Sequence, residues 1–150
     1  MGLLVIMLCL TAPTWADGTP SRPVPPALRS GTLPQVQLYE AAGDHVQAFA
    51  LDSNGLPATQ PDRQLYGGFS AAFSIALDAA GYIYVADYGG SVKVFAPGSS
   101  GNATPLYVIP MIAPTWVALN KAGYLFVTCC SYNEVLVFER AREARLHSRY

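Results

Sequence analysis

Charge is scarce in this sequence of 150 residues: Asp, Glu, Lys and Arg make up 13%, against roughly 25% in an ordinary soluble domain. Nine basic residues stand against ten acidic ones, for a net charge of −1. That balance leaves no basic stripe for nucleic acid or for an anionic membrane surface. Histidine is rarer still. His45 and His147 are read as two solvated residues, one in a loop and one near the end, with no metal site between them. Three cysteines form neither a disulfide framework nor a spaced zinc signature. No apolar run reaches the ~20 residues that a membrane-spanning helix needs. In contrast, breakers are plentiful: 13 Gly and 12 Pro exclude a helical bundle or coiled coil over most of the length. Nine Tyr and six Phe, with many Val and Ile, favour strands.

Met1–Leu10 is apolar and uncharged. Thr14 and Ala16 stand three and one before a cut after Ala16, so a short apolar stretch and a small-x-small site predict a secretory signal peptide over 1–16. Ile6, Met7 and Leu8 ahead of Cys9 are too large for lipid anchoring through that cysteine. Residues 17–35, with Pro20, Pro23, Pro25, Pro26 and Pro34, read as an extended linker. Together the two segments place the protein outside the cytoplasm, secreted or periplasmic. Cleavage removes Cys9 and leaves Cys129 and Cys130, whose side chains point to opposite faces of a strand. They are read as partly or fully buried free thiols, with an intermolecular disulfide as the alternative.

The rest of the chain repeats itself. Ile75-Ala76-Leu77-Asp78-Ala79-Ala80-Gly81-Tyr82-Ile83-Tyr84-Val85 returns without a gap 42 residues later as Val117-Ala118-Leu119-Asn120-Lys121-Ala122-Gly123-Tyr124-Leu125-Phe126-Val127. Val92–Phe95 returns as Val135–Phe138, and a more worn copy, Gly43–Ala50, aligns to Gly89–Ala96. Each copy reads as short strands around Asp-x-x-Gly or Asn-x-x-Gly turns. A fourth strand is predicted at Leu106–Ile109, after the Pro97-Gly98 turn. Four short strands in forty-odd residues make one blade of a β-propeller, whose faces are buried only by stacking on neighbours.

The run Ile75–Phe95, with Asp78, Gly81, Ala86-Asp87 and Gly89-Gly90 in place, resembles an NHL repeat. Ala96–Pro105 resembles the connector of secreted NHL-like propellers of bacteria. The copy at Val117–Phe138 departs from the pattern, with Thr128-Cys129 where the repeat has Ala-Asp. The resemblance implies an all-β fold of about six four-stranded blades. Residues 36–138 supply about two and a half to three of them. Two expectations follow. Either the chain is a truncated copy of a longer propeller, or copies associate, with a homodimer completing the ring. Residues 139–150 carry four of the nine basic residues and read as a charged tail, helical or disordered, foreign to the blade.

Chemistry is thinly marked. Gly68-Phe69-Ser70-Ala71-Ala72 begins like a nucleophile elbow but lacks its last glycine and precedes a strand. Asp52-Ser53-Asn54-Gly55 lacks the later ligands of a calcium loop and reads as an Asn-Gly turn. Asp78 and Asp87 are read as turn-capping acids, because their repeat partners are Asn120 and Cys129. Asn102-Ala103-Thr104 is a glycosylation sequon, which matters only in a eukaryotic secretory pathway. No catalytic residue, cofactor site or metal site is named. The chain is therefore expected to be a non-enzymatic, exported scaffold that binds a protein or a cell-envelope glycan through rim loops. Tyr66, Phe69, Tyr88, Trp116 and Tyr132 supply its flat contact area. The alternatives are a fragment of a six-bladed propeller enzyme of lactonase or lyase type, incomplete as it stands, and a degenerate gene fragment.

Overall fold

The computed structural model describes residues 37–131 and 133–139, and the backbone of 145–149. The signal peptide read at 1–16 and the linker read at 17–35 lie outside the described residues. Among the described residues all regular structure is β, in three antiparallel sheets. The first holds β1 (Gln37–Ala41), β2 (Val46–Ala50) and β3 (Arg63–Leu65). The second holds β4 (Ala72–Leu77), β5 (Ile83–Asp87), β6 (Ser91–Phe95) and β7 (Tyr107–Pro110). The third holds β8 (Pro114–Leu119), β9 (Leu125–Cys129), β10 (Glu134–Glu139) and β11 (Arg145–Arg149). Each sheet is a meander in which consecutive strands pair, the connectivity of a propeller blade.

The sequence repeat is a repeat of register. Ala41 stands opposite Val46, Ala86 opposite Val92, and Thr128 opposite Val135. The turns repeat as closely. The Asp78 carboxylate accepts the N–H groups of Ala80 and Tyr82 at 2.9 and 3.0 Å, and Asn120 Oδ1 accepts those of Ala122 and Tyr124 at 3.0 and 2.9 Å. Both turns end on a glycine in the left-handed region, Gly81 at φ +84° and Gly123 at φ +87°. Such a conformation costs a residue with a Cβ about 1–2 kcal/mol. Asp52 builds the same turn on the β2–β3 connection, accepting from Asn54 and Leu56 at 2.8 Å each. The Asn-Gly reading of this segment is thereby corrected: Asp52 sets the turn, and Gly55 at φ +78° closes it while Asn54 keeps a negative φ.

Alternation along the strands decides which blade each residue meets. In β5, Ile83 and Val85 join Tyr39, Ala41, Val46 and Ala48 of the first blade in one apolar cluster. Tyr84 and Ala86, one residue along, join Val117, Leu125 and Val127 of the third blade in another. All five β5 residues are consequently buried, as a strand covered on both faces must be. Bridges tie the blades together: the Ala72 N–H donates to the Gly43 carbonyl, and the Val117 N–H donates to Ser74 Oγ at 3.2 Å. The outer edge of β3 is capped by the connector behind β6, where Tyr66 N–H meets the Gly101 carbonyl and Gly101 N–H meets that of Gln64, both at 2.7 Å.

The tail departs from its reading. Instead of a helix or a loose end, Arg145–Arg149 pairs antiparallel with β10, from Leu136 opposite Arg149 to Glu139 opposite Arg145, around one irregularity. The free edge of β10 offers unpaired N–H and C=O groups, and a chain segment of almost any composition satisfies them. The tail thus supplies the fourth strand of the third blade. Of the two described cysteines, both free, Cys129 is buried and Cys130 is exposed, which corrects the reading of two covered thiols.

Candidate functional site

The meander sends one set of connections to each end of the blades. The upper rim gathers 42–45, 66–71, 88–90, 111–113, 130–131 and 133; the lower rim gathers 51–62, 78–82, 96–106 and 120–124. The lower rim is built of the Asx turns just described, whose carboxylate and amide oxygens are spent on backbone. Arg63, Gln37 and Tyr39 bond one another towards the lower rim, and the groups built around Asp87 and His45 lie on the upper rim.

Asp87, the last residue of β5, is 3% exposed. Its Oδ1 accepts the N–H groups of Ser70, Ala71 and Gly89 at 3.0, 2.8 and 3.4 Å. Its Oδ2 lies 2.9 Å from Lys93 Nζ, which also donates to the Gly68 carbonyl and stands 5.2 Å over the Phe69 ring. Burial pushes this carboxyl up, but the Ala71 N–H and the Lys93 ammonium outweigh it, so the pKa falls below the ordinary 3.8. Asp87 caps the β5–β6 turn as its sequence suggested, and in addition pins the 66–71 connector. Ser70 therefore precedes a strand with its N–H committed to Asp87, and no elbow forms. In the third blade Cys129 takes the place of Asp87, and Thr128 Oγ1 accepts the Trp116 N–H at 3.1 Å.

A second group stands beside it. Asp44 Oδ1 lies 2.6 Å from His45 Nδ1, and His45 Nε2 lies 2.9 Å from Gln47 Nε2. Both contacts are hydrogen bonds when the imidazole carries its proton on Nδ1 and the Gln47 amide donates to Nε2. The His45 hydrogen bond holds the Asp44 carboxyl below its ordinary 3.8. The ring stacks on Tyr66 at 5.2 Å and 25°. That arrangement commits both ring nitrogens, Nδ1 to Asp44 and Nε2 to the Gln47 amide, so His45 can act on a water molecule only where that water replaces Gln47 at Nε2. The reading of His45 as a plain solvated residue is corrected here. The signal was its immediate neighbour Asp44, placed by the Gly43 turn at φ +80°.

Phe73 and Tyr88 complete the rim, stacked at 5.1 Å and 27° and 39% and 44% exposed. Of the aromatics marked in the sequence, Tyr66 and Tyr88 are exposed here, while Phe69 is buried edge-on to Phe95 at 5.6 Å. Trp116 lies on the open face of the third blade, and Tyr132 and the His147 side chain lie outside the described residues. Phe73 carried no signal, since its exposure depends on how β4 meets Tyr88. Among the described residues no three His, Cys, Asp or Glu side chains group to hold a metal ion.

No family model matches the chain, and no curated protein matches it. Among solved structures, it is similar to a putative 6-phosphogluconolactonase from Bacteroides uniformis, with a TM-score of 0.59 and 13% identity. The match covers 77% of this chain and 39% of that one, so the chain spans well under half of its neighbour's length. At this identity the likeness speaks for the fold, a propeller-like stack of antiparallel sheets. It corrects the expectation of a non-enzymatic chain, because the blade arrangement found here also occurs in that putative lactonase. The NHL likeness remains a matter of the sequence motif.

Proposed function

We propose that the chain supplies three blades of an NHL-like propeller hydrolase of the lactonase class, opening the ring ester of a sugar lactone. The observation that carries this reading is the structural likeness over 77% of the chain. The upper rim supports it with two parts. The Phe73–Tyr88 stack offers a flat apolar surface to a sugar ring. His45, oriented by Asp44, exchanges the Gln47 amide for a water molecule at Nε2, accepts that water's proton as it attacks the lactone carbonyl, and then returns the proton to the departing ring oxygen. The substrate class stops at a neutral lactone. Of the described cations on hand, Lys93 is bound to Asp87 and Arg63 to Tyr39 and Gln37, while Lys121 sits on the lower rim, so none is placed to hold a phosphate. With the export signal read at 1–16, the reaction would run outside the cytoplasm, on sugars of the cell envelope or the medium.

The test is acid release from glucono-δ-lactone at constant pH, followed by base uptake against a protein-free blank. The reading expects a rate above the blank that falls at least about a hundredfold in His45→Gln, the usual worth of a general base. Release no faster than the blank, or a rate unchanged in His45→Gln, overturns it.

A further inference from the structure

The third blade presents a face that the second blade, at the same positions, keeps covered. Trp116, Ala118, Phe126, Thr128, Val135 and Val137 follow Ser74, Ala76, Tyr84, Ala86, Val92 and Val94 at the repeat offsets of 42 and 43. In the second blade all six are at most 1% exposed, because the third blade stacks on them. In the third blade Trp116 is 47% exposed, Ala118 is exposed, and Phe126, Thr128 and Val135 are half-buried, while Val137 is buried. None of the six carries a charge. What fits this front face is what fits its equivalent, the back face of another blade, built on the pattern of Ile83, Val85 and Phe95.

Among the described residues, one such back face has no blade stacked on it. On the first blade Leu38, Glu40 and Phe49 take the positions of Ile83, Val85 and Phe95, and all three are half-buried. Their apolar members are conserved in kind, and the exception is informative. Ala86 and Val127 pack in one cluster at the junction of the second and third blades. Their counterparts at the two open faces are Thr128 and Glu40. Polar residues replace apolar ones on both sides, so a hydroxyl and a carboxylate fall at the positions that an alanine and a valine hold in the cluster inside the stack.

We propose that the front of the third blade docks on the back of the first blade of a second copy of this chain, and the reciprocal contact closes a two-fold ring. Two copies of three blades make six, inside the range of four to eight found in closed propellers. A head-to-tail contact that closes gives a discrete particle, while one that does not close gives a filament.

Sedimentation of the full chain at micromolar concentration tests the proposal, with Trp116→Arg blocking the front and Leu38→Arg blocking the back. The wild type is expected at twice the chain mass. Each variant alone dissociates about tenfold more readily or worse, with its strand-rich circular dichroism spectrum kept. The two variants mixed recover pairing, because the sound front of one meets the sound back of the other. A monomeric wild type, an open-ended polymer, a Leu38→Arg variant that still pairs fully, or a mixture that stays monomeric each overturns it. None of these outcomes depends on lactone hydrolysis.

Discussion

Asp87 and Lys93 face each other diagonally across the β5–β6 hairpin, with Asp87 Oδ2 2.9 Å from Lys93 Nζ and the Lys93 side chain only 14% exposed. The pair lies where two blades meet the upper rim. Through the backbone of Gly68, Ser70 and Ala71 it holds the connector that leads from the first blade into the second. A carboxylate there accepts three N–H groups on Oδ1 and keeps Oδ2 for the Lys93 ammonium.

Removing that carboxylate should therefore cost more than a surface salt bridge would. Asp87→Ala leaves three N–H donors and an ammonium without their acceptor in a nearly water-free site, for an expected loss of about 3 kcal/mol. Lys93→Met leaves the backbone bonds in place and should cost about 1 kcal/mol. Urea denaturation of both variants checks the order. Equal losses would place the strength in the ion pair and not in the backbone donors.

The same group predicts an acid dependence. The folded state holds the Asp87 carboxyl below its ordinary 3.8, so the folded protein binds that proton less readily than the unfolded chain does. Its contribution is complete above about pH 5 and fades as the pH falls through 3.8 towards the folded pKa. Melting temperatures taken from pH 6 down to pH 2 should fall more steeply for the wild type than for Asp87→Asn below that point. Parallel curves would remove Asp87 as the cause.

Gly81 and Gly123 hold equivalent turns, at φ +84° and +87°, but not equivalent surroundings. A Cβ on Gly81 would touch Pro97 Cβ at 3.4 Å, whereas one on Gly123 would meet nothing within 4 Å. Gly123→Ala should lose about 1 kcal/mol for the left-handed backbone alone. Gly81→Ala should lose that and slightly more, as thermal melts of the two variants will show. A neutral Gly123→Ala would mean that the turn relaxes.

Deleting 145–150 tests the tail's place in the fold. With β11 gone, β10 becomes a bare edge, and light scattering on heating should begin at a lower temperature than in the intact chain. An unchanged onset would show that the tail's pairing contributes little.

Much of this architecture is written in local spacing. The 42-residue return of Asp78 as Asn120 and of Gly81 as Gly123 marks identical turns, because an Asx oxygen reaches the backbone two and four residues on and needs nothing distant to do so. Alternation in β5 likewise announces a strand buried on both faces, since a period of two with apolar residues at both phases leaves no face for water.

Other features belong to the assembled chain alone. Asp87 meets Ser70 and Ala71 only after the blade brings residues 16 and 17 positions apart to one rim, and Tyr66 reaches His45 by the same route. Arg145–Arg149 shows no strand pattern of its own; it is a strand because the edge of β10 needs partners and the tail is tethered next to it. Whether Tyr84 or Phe126 is covered follows from which blade has a neighbour and not from the residue, for the two occupy one position of one repeat. Spacing along the chain specifies turns and strands because their hydrogen bonds are local. The rim site and the open face arise from contacts between blades, which no local spacing encodes.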